Sequence, residues 1–539
     1  MTRPNIVMIV ADDVNLAYHG CFGGRTPTPW IDLLAREGVR LDRACCVAPL
    51  CNPSRWSLFT GQFAGRSPHA RKGTADGEPT LIHQNAQLTA SSWTLAKALR
   101  AAGWFTAHIG KWHSQFGDDF GEQVVREELP MDADPLDPAV DGVLRRNHDL
   151  ARHVVRRWGG FEHADRVSWG NLDQPKMPHK LRHHNVPWMT EGALESIDTA
   201  VRHKRPFYLH LANSVPHGPD CHRSLGRDLR LTPGGRLAEV PHGQPPDATV
   251  MPRLAAAGLP QDGPLAGINA GVVQIDDQIG AIVERLRAHG IERDTIVIYC
   301  ADHGVAGKGS CHYPGVNVPV VMRWPAGLPG GRAIPELISY ADLVPTLLEA
   351  CGVAAPDGHV LDGASVLGVL AGREEAVRTS CFSEMGWARS VTVGSWRYIA
   401  WRHPDAIIDQ MSAGVHPMAI DQMGRGAGSA FGDLSARFRP GYFDCDQLYH
   451  VGEDPLERTN RIADPACAAA LERCRSELAG HLQRLGTPFR AEPHAFVRSP
   501  AWRTLVERRM ADIATKPYHP QGHDSEAIYA GNLHDPEQP

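Results

Sequence analysis

Four short apolar runs, each ending in polar residues, constrain this chain more than any other feature. NIVMIV (5–10) passes through Ala11 into Asp12-Asp13, and WFTAHIG (104–110) runs into Lys111-Trp112-His113. PFYLHLA (206–212) runs into NSVPHGP, and TIVIYCA (295–301) into Asp302-His303-Gly304. Continuous apolar runs of this length suit strands buried on both faces of a parallel sheet. Helical patterns lie between them. Thr28 and Pro29 stand as N-cap and first helical residue of WIDLLARE, closed by Gly38, and TLAKALRAAG spans 94–103. Val272, Val273, Ile275, Ile279, Ile282, Val283 and Leu286 recur at helical spacing before Gly290. Strands alternating with helices predict an α/β fold: a large, mostly parallel sheet sandwiched by helices. Polar residues past the strand C-termini then gather on one edge, where ligands bind in such sheets.

The 539 residues leave room for an appendage. We expect residues 1–375 to form the α/β domain, with 114–200, polar and weakly periodic, as an insertion over the ligand-binding edge. RSVTVGSWRYIAW and a helical pattern at 465–485 predict a smaller α+β subdomain over 376–490. In the tail, 491–539, WRTLVERRMADI reads as a helix. The Pro/His/Gly stretch after it leaves two readings open: a disordered end, or a segment docking on a second copy in a homo-oligomer.

A net charge of -6 gives no basic footprint for nucleic acid or an anionic membrane, and no apolar run reaches bilayer length. NIVMIV, followed at once by two aspartates, reads as a strand and not a secretion signal. The twelve cysteines form no paired framework, which favours a reducing cytoplasm. HKLRHH (179–184) lies between Pro178 and Pro187 and reads as a solvated or substrate-facing loop. Asp276-Asp277 reads as structural, and Trp169 and Trp188 as either packing or ring-stacking residues.

Adjacent carboxylates at the end of a buried strand are costly unless something positive neutralises them, and a divalent cation with oxygen ligands would do so. The alternative is that Asp13 caps a helix while Asp12 faces solvent. The second acidic strand end, Asp302, favours the cation. Outside any motif, Lys111 and Lys308 read as surface lysines and His217 as a satisfied loop histidine.

One further stretch changes that balance. CNPSRWSLFTG (51–61) carries C-x-P-S-R-x-x-x-x-T-G at every fixed position, and the chain resembles the sulfatases of the alkaline-phosphatase-like superfamily. IGKWH, ANSVPHGP, ADHG, KGSCHYPGVNVP (308–319), ADLVPTLLEACGV and QLYHVGEDPLERTN extend the resemblance along most of the chain. It implies that Cys51 is oxidised to formylglycine (3-oxoalanine) by dedicated machinery. The hydrated aldehyde attacks sulfur with one hydroxyl, and deprotonating the other expels sulfate. It also implies a metal held by Asp12, Asp13, Cys51, Asp302 and His303, with Arg55 neutralising charge beside it. Lys111 and Lys308 would bind sulfate, His113 would orient the residue-51 hydroxyl, and His217 would protonate the leaving group.

Two features depart from the family pattern. His303 stands where many relatives carry Asn; Ca2+ remains the expected metal, with Mn2+ or another divalent ion open. The short Asp302–Lys308 spacing and WPAG resemble the heparan N-sulfatase-like branch. The implied reaction is hydrolysis of a sugar, aryl or alkyl sulfate monoester. Alternatives are an N-sulfamidase, a phosphonate monoester hydrolase or phosphodiesterase, and an inactive sulfate- or phosphate-binding scaffold.

Overall fold

The computed structural model describes residues 3–72, 74–114, 126–172, 177–243, 245, 247–415 and 436–515. The four apolar runs form adjacent strands of one sheet. Its members are β1 (Asn5–Ala11), β2 (Val39–Leu41), β3 (Phe105–Lys111), β4 (His163–Ser168), β5 (Phe207–Ala212), β6 (Thr295–Ala301), β7 (Val320–Arg323) and β8 (Arg332–Ile334). Their order is β8-β2-β7-β6-β1-β5-β3-β4. β1 lies parallel between β5 and β6, and β3 parallel between β5 and β4. β7 runs antiparallel to both neighbours. The fold is therefore α/β with a mixed, mostly parallel sheet, as the strand–helix alternation predicts.

Helices cover both faces. On one side α1 (Pro29–Glu37) and α5 (Val186–Arg202) pack against α6 (Gly263–Ala288). On the other, α3 (Leu95–Ala101) and α7 (Leu343–Cys351) pack against α2 (Cys51–Thr60). Thr28 holds the cap position of α1, but its hydroxyl donates to Asp32 Oδ1 (3.0 Å) and accepts from the Gly20 amide (2.9 Å). The orphan amides of Trp30 and Ile31 are capped instead by Asp276 Oδ1 of α6, at 3.0 and 2.8 Å. Asp277 pairs with Arg253, so both aspartates of α6 are structural.

Residues 114–200 differ from the expected insertion. They supply α4 (Pro138–Val154), the sheet's edge strand β4 and helix α5. The register of β4 against β3, with Ala107 opposite His163, builds this segment into the sheet. Residues 115–125 and 173–176 lie outside the described residues.

A second, antiparallel sheet follows, of β9 (Ser380–Met385), β10 (Ala388–Val393), β11 (Trp396–Trp401) and β12 (Asp446–His450), in that order. Helix α8 (Ala468–Leu485) packs on β10 and β11. This sheet is tied to the large unit. The Glu384 amide donates to Val47 O (2.9 Å), and Glu384 Oε1 accepts from the Gly65 amide (2.7 Å). Helix α9 (Pro500–Thr515) buries Trp502 and Leu505 against Ile408 and Met411 of its own chain. The polar stretch over 416–435 and the tail from 516 to 539 lie outside the described residues. Among those described, no helix is long and apolar enough to cross a membrane.

Several core histidines are neutral in the folded chain. Burial pushes His19, His184 and His403 down to about 4. Burial and nearby Arg55 push His108 to about 3. In the unfolded chain each takes up a proton below about pH 6.5. The unfolded state then binds more protons than the folded one, so stability falls as pH drops from about 6.5 towards 4. His108 packs among Phe161, Trp112 and His210, so His108→Phe keeps the aromatic contacts and removes one such proton. Urea midpoints should fall between pH 7.5 and pH 5 in the parent. The variant should show a shallower dependence, by up to about 1.4 kcal/mol per pH unit; an equal slope would contradict this account.

Candidate active site

The site is built at the C-terminal edge of β1, β3, β5 and β6. Successive side chains of a strand point to opposite faces. Asp13 breaks that alternation with φ 63°, as His113 does beyond β3 with φ 49°. Asp is among the few non-glycine residues that enter this region with any frequency, and His is another. Both Asp12 and Asp13 are thereby brought to the same cluster.

Helix α2 faces this edge with its first turn. Pro53 is tolerated there because first-turn amides have no intrahelical partner. Cys51 Sγ lies 3.3 Å from His303 Nε2 and 3.9 Å from Asp13 Oδ1. One turn on, Arg55 Nε donates to Asp302 Oδ2 (3.0 Å), and its Nη2 lies 3.7 Å from Asp12 Oδ1. Asn52 Nδ2 donates to His113 O (2.8 Å), and Ser54 Oγ donates to Asp302 O. This answers why CNPSR stands together: each of these residues except Pro53 touches the strand-end groups.

The lysines complete the compensation. Lys111 Nζ donates to Asp12 Oδ2 and to Asn171 Oδ1, and Lys308 Nζ donates to Asp13 Oδ2. His303 Nε2 lies 3.0 Å from Asp13 Oδ1, with Nδ1 3.1 Å from Gly304 O. Burial alone would raise both carboxyls, but Lys111 and Arg55 hold Asp12, and Lys308 and His217 hold Asp13, well below the usual range. Asp302 moves the other way, raised by burial and by neighbouring Asp12. Burial also lowers His113, with Lys111 adding to it, and lowers His217, with Lys308 adding to it. Burial opposes the charged form of His303, but Asp302 and Asp13 raise its pKa well above the ordinary value.

Asp12, Asp13, Cys51 and His303 each offer one ligand atom, all within 4.8 Å of one another. Asp12 Oδ1 is buried and has no hydrogen-bond partner among the described residues, as a metal-facing oxygen would. Nδ1 of His303 is engaged by Gly304, leaving Nε2 as the atom that can exchange a proton for a cation. These residues fit a divalent ion. Asp302, expected among the ligands, stands beside this group. Its Oδ1 accepts from the amides of Asp13 (3.1 Å) and His303 (2.9 Å), and its Oδ2 is held by Arg55.

His217 follows β5, with Nε2 3.6 Å from Asp13 Oδ2. Two residues around it escape sequence reasoning. Asn171 Nδ2 lies 3.1 Å from His217 Nε2. It reaches the site because pairing continues past β3, from the Trp112 amide to Ser168 O (2.9 Å) and the His113 amide to Trp169 O (3.1 Å). His184 Nε2 donates to the carbonyls of His217 (2.9 Å) and Pro219 (2.8 Å). HKLRHH is thus corrected: His183 and His184 are buried, and His184 clamps the loop that carries His217. Trp188 is also buried, tilted against His148, and Arg126 sits 5.3 Å over the Trp169 ring.

The sheet and its edge are those of a known class. The Sulfatase family description matches residues 4–353, and the chain belongs to the sulfatase family. It is 27% identical over 421 residues to the steryl-sulfatase of Mus musculus, covering 68% of this chain and 65% of that enzyme. It is 24% identical over 517 residues to the uncharacterized sulfatase YidJ of Escherichia coli K12, covering 91% and 89%. A solved structure in complex with its substrate D-glucosamine-2-N,6-O-disulfate aligns with TM-score 0.57 at 17% identity, over 90% of this chain and 98% of that one. That last likeness is one of fold.

Removing one partner of a buried pair costs more than removing both. In chelator-treated protein, Lys111→Met should lower unfolding stability by about 3–5 kcal/mol, leaving Asp12 buried beside a neutral chain. Adding Asp12→Asn should recover part of that loss in urea titrations. A double variant no more stable than Lys111→Met would contradict the pairing.

Proposed function

We propose that this chain is a metal-dependent sulfatase that hydrolyses a sulfate monoester through a nucleophile derived from Cys51. The observation that carries the reading is the position of Cys51 Sγ, 3.3 Å from His303 Nε2, at a helix N-terminus ringed by Lys111, Lys308 and Arg55. Hydrolysis of a sulfate ester builds negative charge on the equatorial and leaving oxygens. Fixed cations that need no reorganisation stabilise it best.

Asp12, Asp13, residue 51, His303 and Asp302 would hold the cation, with Asp302 also steadying two backbone amides. A bound divalent ion supplies Lewis-acid polarisation of the sulfate. Ca2+ leads by family, and the imidazole in the donor set keeps Mn2+ open. Formylglycine at position 51, made by its own modifying machinery, supplies covalent catalysis with a built-in release. Lys111 and Lys308 exchange their carboxylate partners for sulfate oxygens. His217 protonates the leaving oxygen, and His113 orients the residue-51 hydroxyl. The substrate class is a sugar, aryl or alkyl sulfate. Sequence relatives named for steryl sulfates support sulfate esters of alcohols. Residues 1–375 would form the catalytic domain and 376–490 its support. Twelve cysteines without a disulfide support a reducing compartment, the cytoplasm.

The test begins with protein from its own host. The peptide carrying residue 51 should be lighter by the thiol-to-aldehyde difference, and 4-nitrophenyl sulfate should be hydrolysed, with activity lost on chelation and restored by Ca2+ or Mn2+. Lys308→Ala should lower kcat by about 10²–10³-fold. An intact thiol at Cys51 in a host with active modifying machinery would overturn the reading. Faster turnover of an aryl phosphonate or a sulfamate would move it to a neighbouring activity.

A further inference from the structure

A basic groove lies on the opposite edge of the large sheet from the catalytic cluster. It encloses about 710 Å³ and is lined chiefly by Lys97 and Arg100 of α3, His153 of α4, and Arg156 and Arg157. The two arginines stand on the turn Val155–Gly159 that follows α4. Helix α3 leads into β3 and this turn leads into β4, so the groove lies where these two parallel strands begin. The catalytic residues lie where strands end, and the seven residues of β3 put roughly 23 Å between the two edges. Among the described residues, no carboxylate lines the groove. The carboxylates nearest the turn in sequence are engaged elsewhere, Asp149 by Arg152 (3.1 Å) and Glu162 by Arg205 (2.9 Å). Arg100, His153, Arg156 and Arg157 are exposed. Lys97 is half-buried, and its Nζ donates to two neutral acceptors, the carbonyls of Ala90 (2.7 Å) and Ser92 (2.5 Å). Burial lowers its pKa and Arg157 adds to the effect, so these like charges stand close enough to repel.

We propose that this groove is a second binding face, which holds a sulfated polysaccharide whose sulfate esters reach the catalytic edge. The inference rests on the sulfatase reading and narrows its substrate to a polymer. Exposed cations are screened, and each contact they make is worth little alone. A small anion touching one or two of them gains little. A chain with sulfates on successive sugars meets several at once, and linked contacts add. The net charge of -6 repels any polyanion at a distance, so the attraction has to be local, as an acid-free groove makes it. Single-stranded nucleic acid binds best where rings are open to stack on its bases. Phe161, the aromatic residue of the lining, is fully buried. A polymer held here keeps its remaining sulfates near the enzyme. Their effective concentration at the catalytic edge rises with no new contact there.

The test uses the full, metal-loaded chain with residue 51 converted, dextran sulfate as the polymer and 4-nitrophenyl sulfate as the small ester. Wild-type protein should bind dextran sulfate at low salt and release it as salt rises. Arg100→Glu combined with Arg156→Glu should weaken that binding by about ten- to a hundredfold, within the roughly 10²–10⁴ that linked contacts supply. Arg100→Lys with Arg156→Lys keeps the charges and should keep the binding. Both arginines are exposed and remote from the cluster, so urea midpoints and 4-nitrophenyl sulfate kinetics should match wild type in both double variants. Dextran sulfate should inhibit 4-nitrophenyl sulfate hydrolysis by wild type, and the charge-reversed variant should need about tenfold more of it. Inorganic sulfate should inhibit the two proteins equally. Unchanged dextran sulfate binding in the charge-reversed variant would overturn the proposal. So would binding lost with inhibition unchanged, because the face would then not serve the catalytic edge. Duplex DNA bound more tightly than dextran sulfate by wild type, and released by the same substitutions, would assign the face to nucleic acid and overturn it too. Wild-type protein idle on 4-nitrophenyl sulfate would overturn the sulfatase reading instead, since dextran sulfate binding is measured without turnover.

Discussion

Everything at the catalytic edge depends on how three buried carboxylates are compensated by buried cations. Asp12, Asp13 and Asp302 lie where ionised groups cost several kcal/mol each unless a partner offsets them. Lys111, Lys308 and Arg55 supply one positive charge apiece, each from a different element, and His303 adds its imidazole. The sheet order makes this arrangement possible. β1 occupies the centre, so groups leaving β6 on one side and β5 and β3 on the other can reach the same two aspartates. The lysines of the resting cluster hold the Oδ2 atoms of Asp12 and Asp13, which leaves both Oδ1 atoms on the side of His303 and Cys51.

Much of this was legible in the chain itself. The strand ends announced Asp12, Asp13, Lys111, Asp302 and His303, because apolar runs of strand length are local and their polar exits share an edge by topology. CNPSR could be read because its residues act within one helical turn. The rest depended on register between distant segments. Asn171 is placed by strand pairing that continues past β3 and β4, and no local pattern around it marks that continuation. His184 sits in a polar run flanked by prolines, a composition typical of solvated loops, yet three hydrogen bonds to the segment after β5 bury it. The capping of α1 was half readable. Thr28 marks the right boundary, but the carboxylate meeting the amides comes from Asp276, 246 positions from Trp30. Asp302 was legible as an acidic strand end, and its ligand role only through the resemblance carried by ADHG. What no local pattern marks is that two backbone amides and a guanidinium also meet its oxygens.

The smaller sheet bears on the edge chemistry through the loop that follows β6. Arg397 donates to Cys311 O (2.8 Å), and Glu457 accepts from the Tyr313 amide (2.7 Å). These bonds grip the chain a few residues beyond Lys308. Glu457 is buried, and its pKa is pushed up to about 7 by that burial, with Arg397 opposing. The spacing from Asp302 to Lys308 is short, so a displacement of the gripped segment would pass to Lys308 with little slack. A unit that contributes no group to the cluster thereby helps to set where one of its lysines sits.

Cys51 is 1% exposed, on a helix whose ten residues are all buried. A macromolecular catalyst cannot close around a side chain so enclosed. The conversion proposed for this residue would therefore have to precede the settling of α2 on the sheet. On that reading, the enclosure that would shield the nucleophile would also set modification in a race with folding. A chain that folds too quickly would be trapped with its thiol, sound in structure and beyond repair.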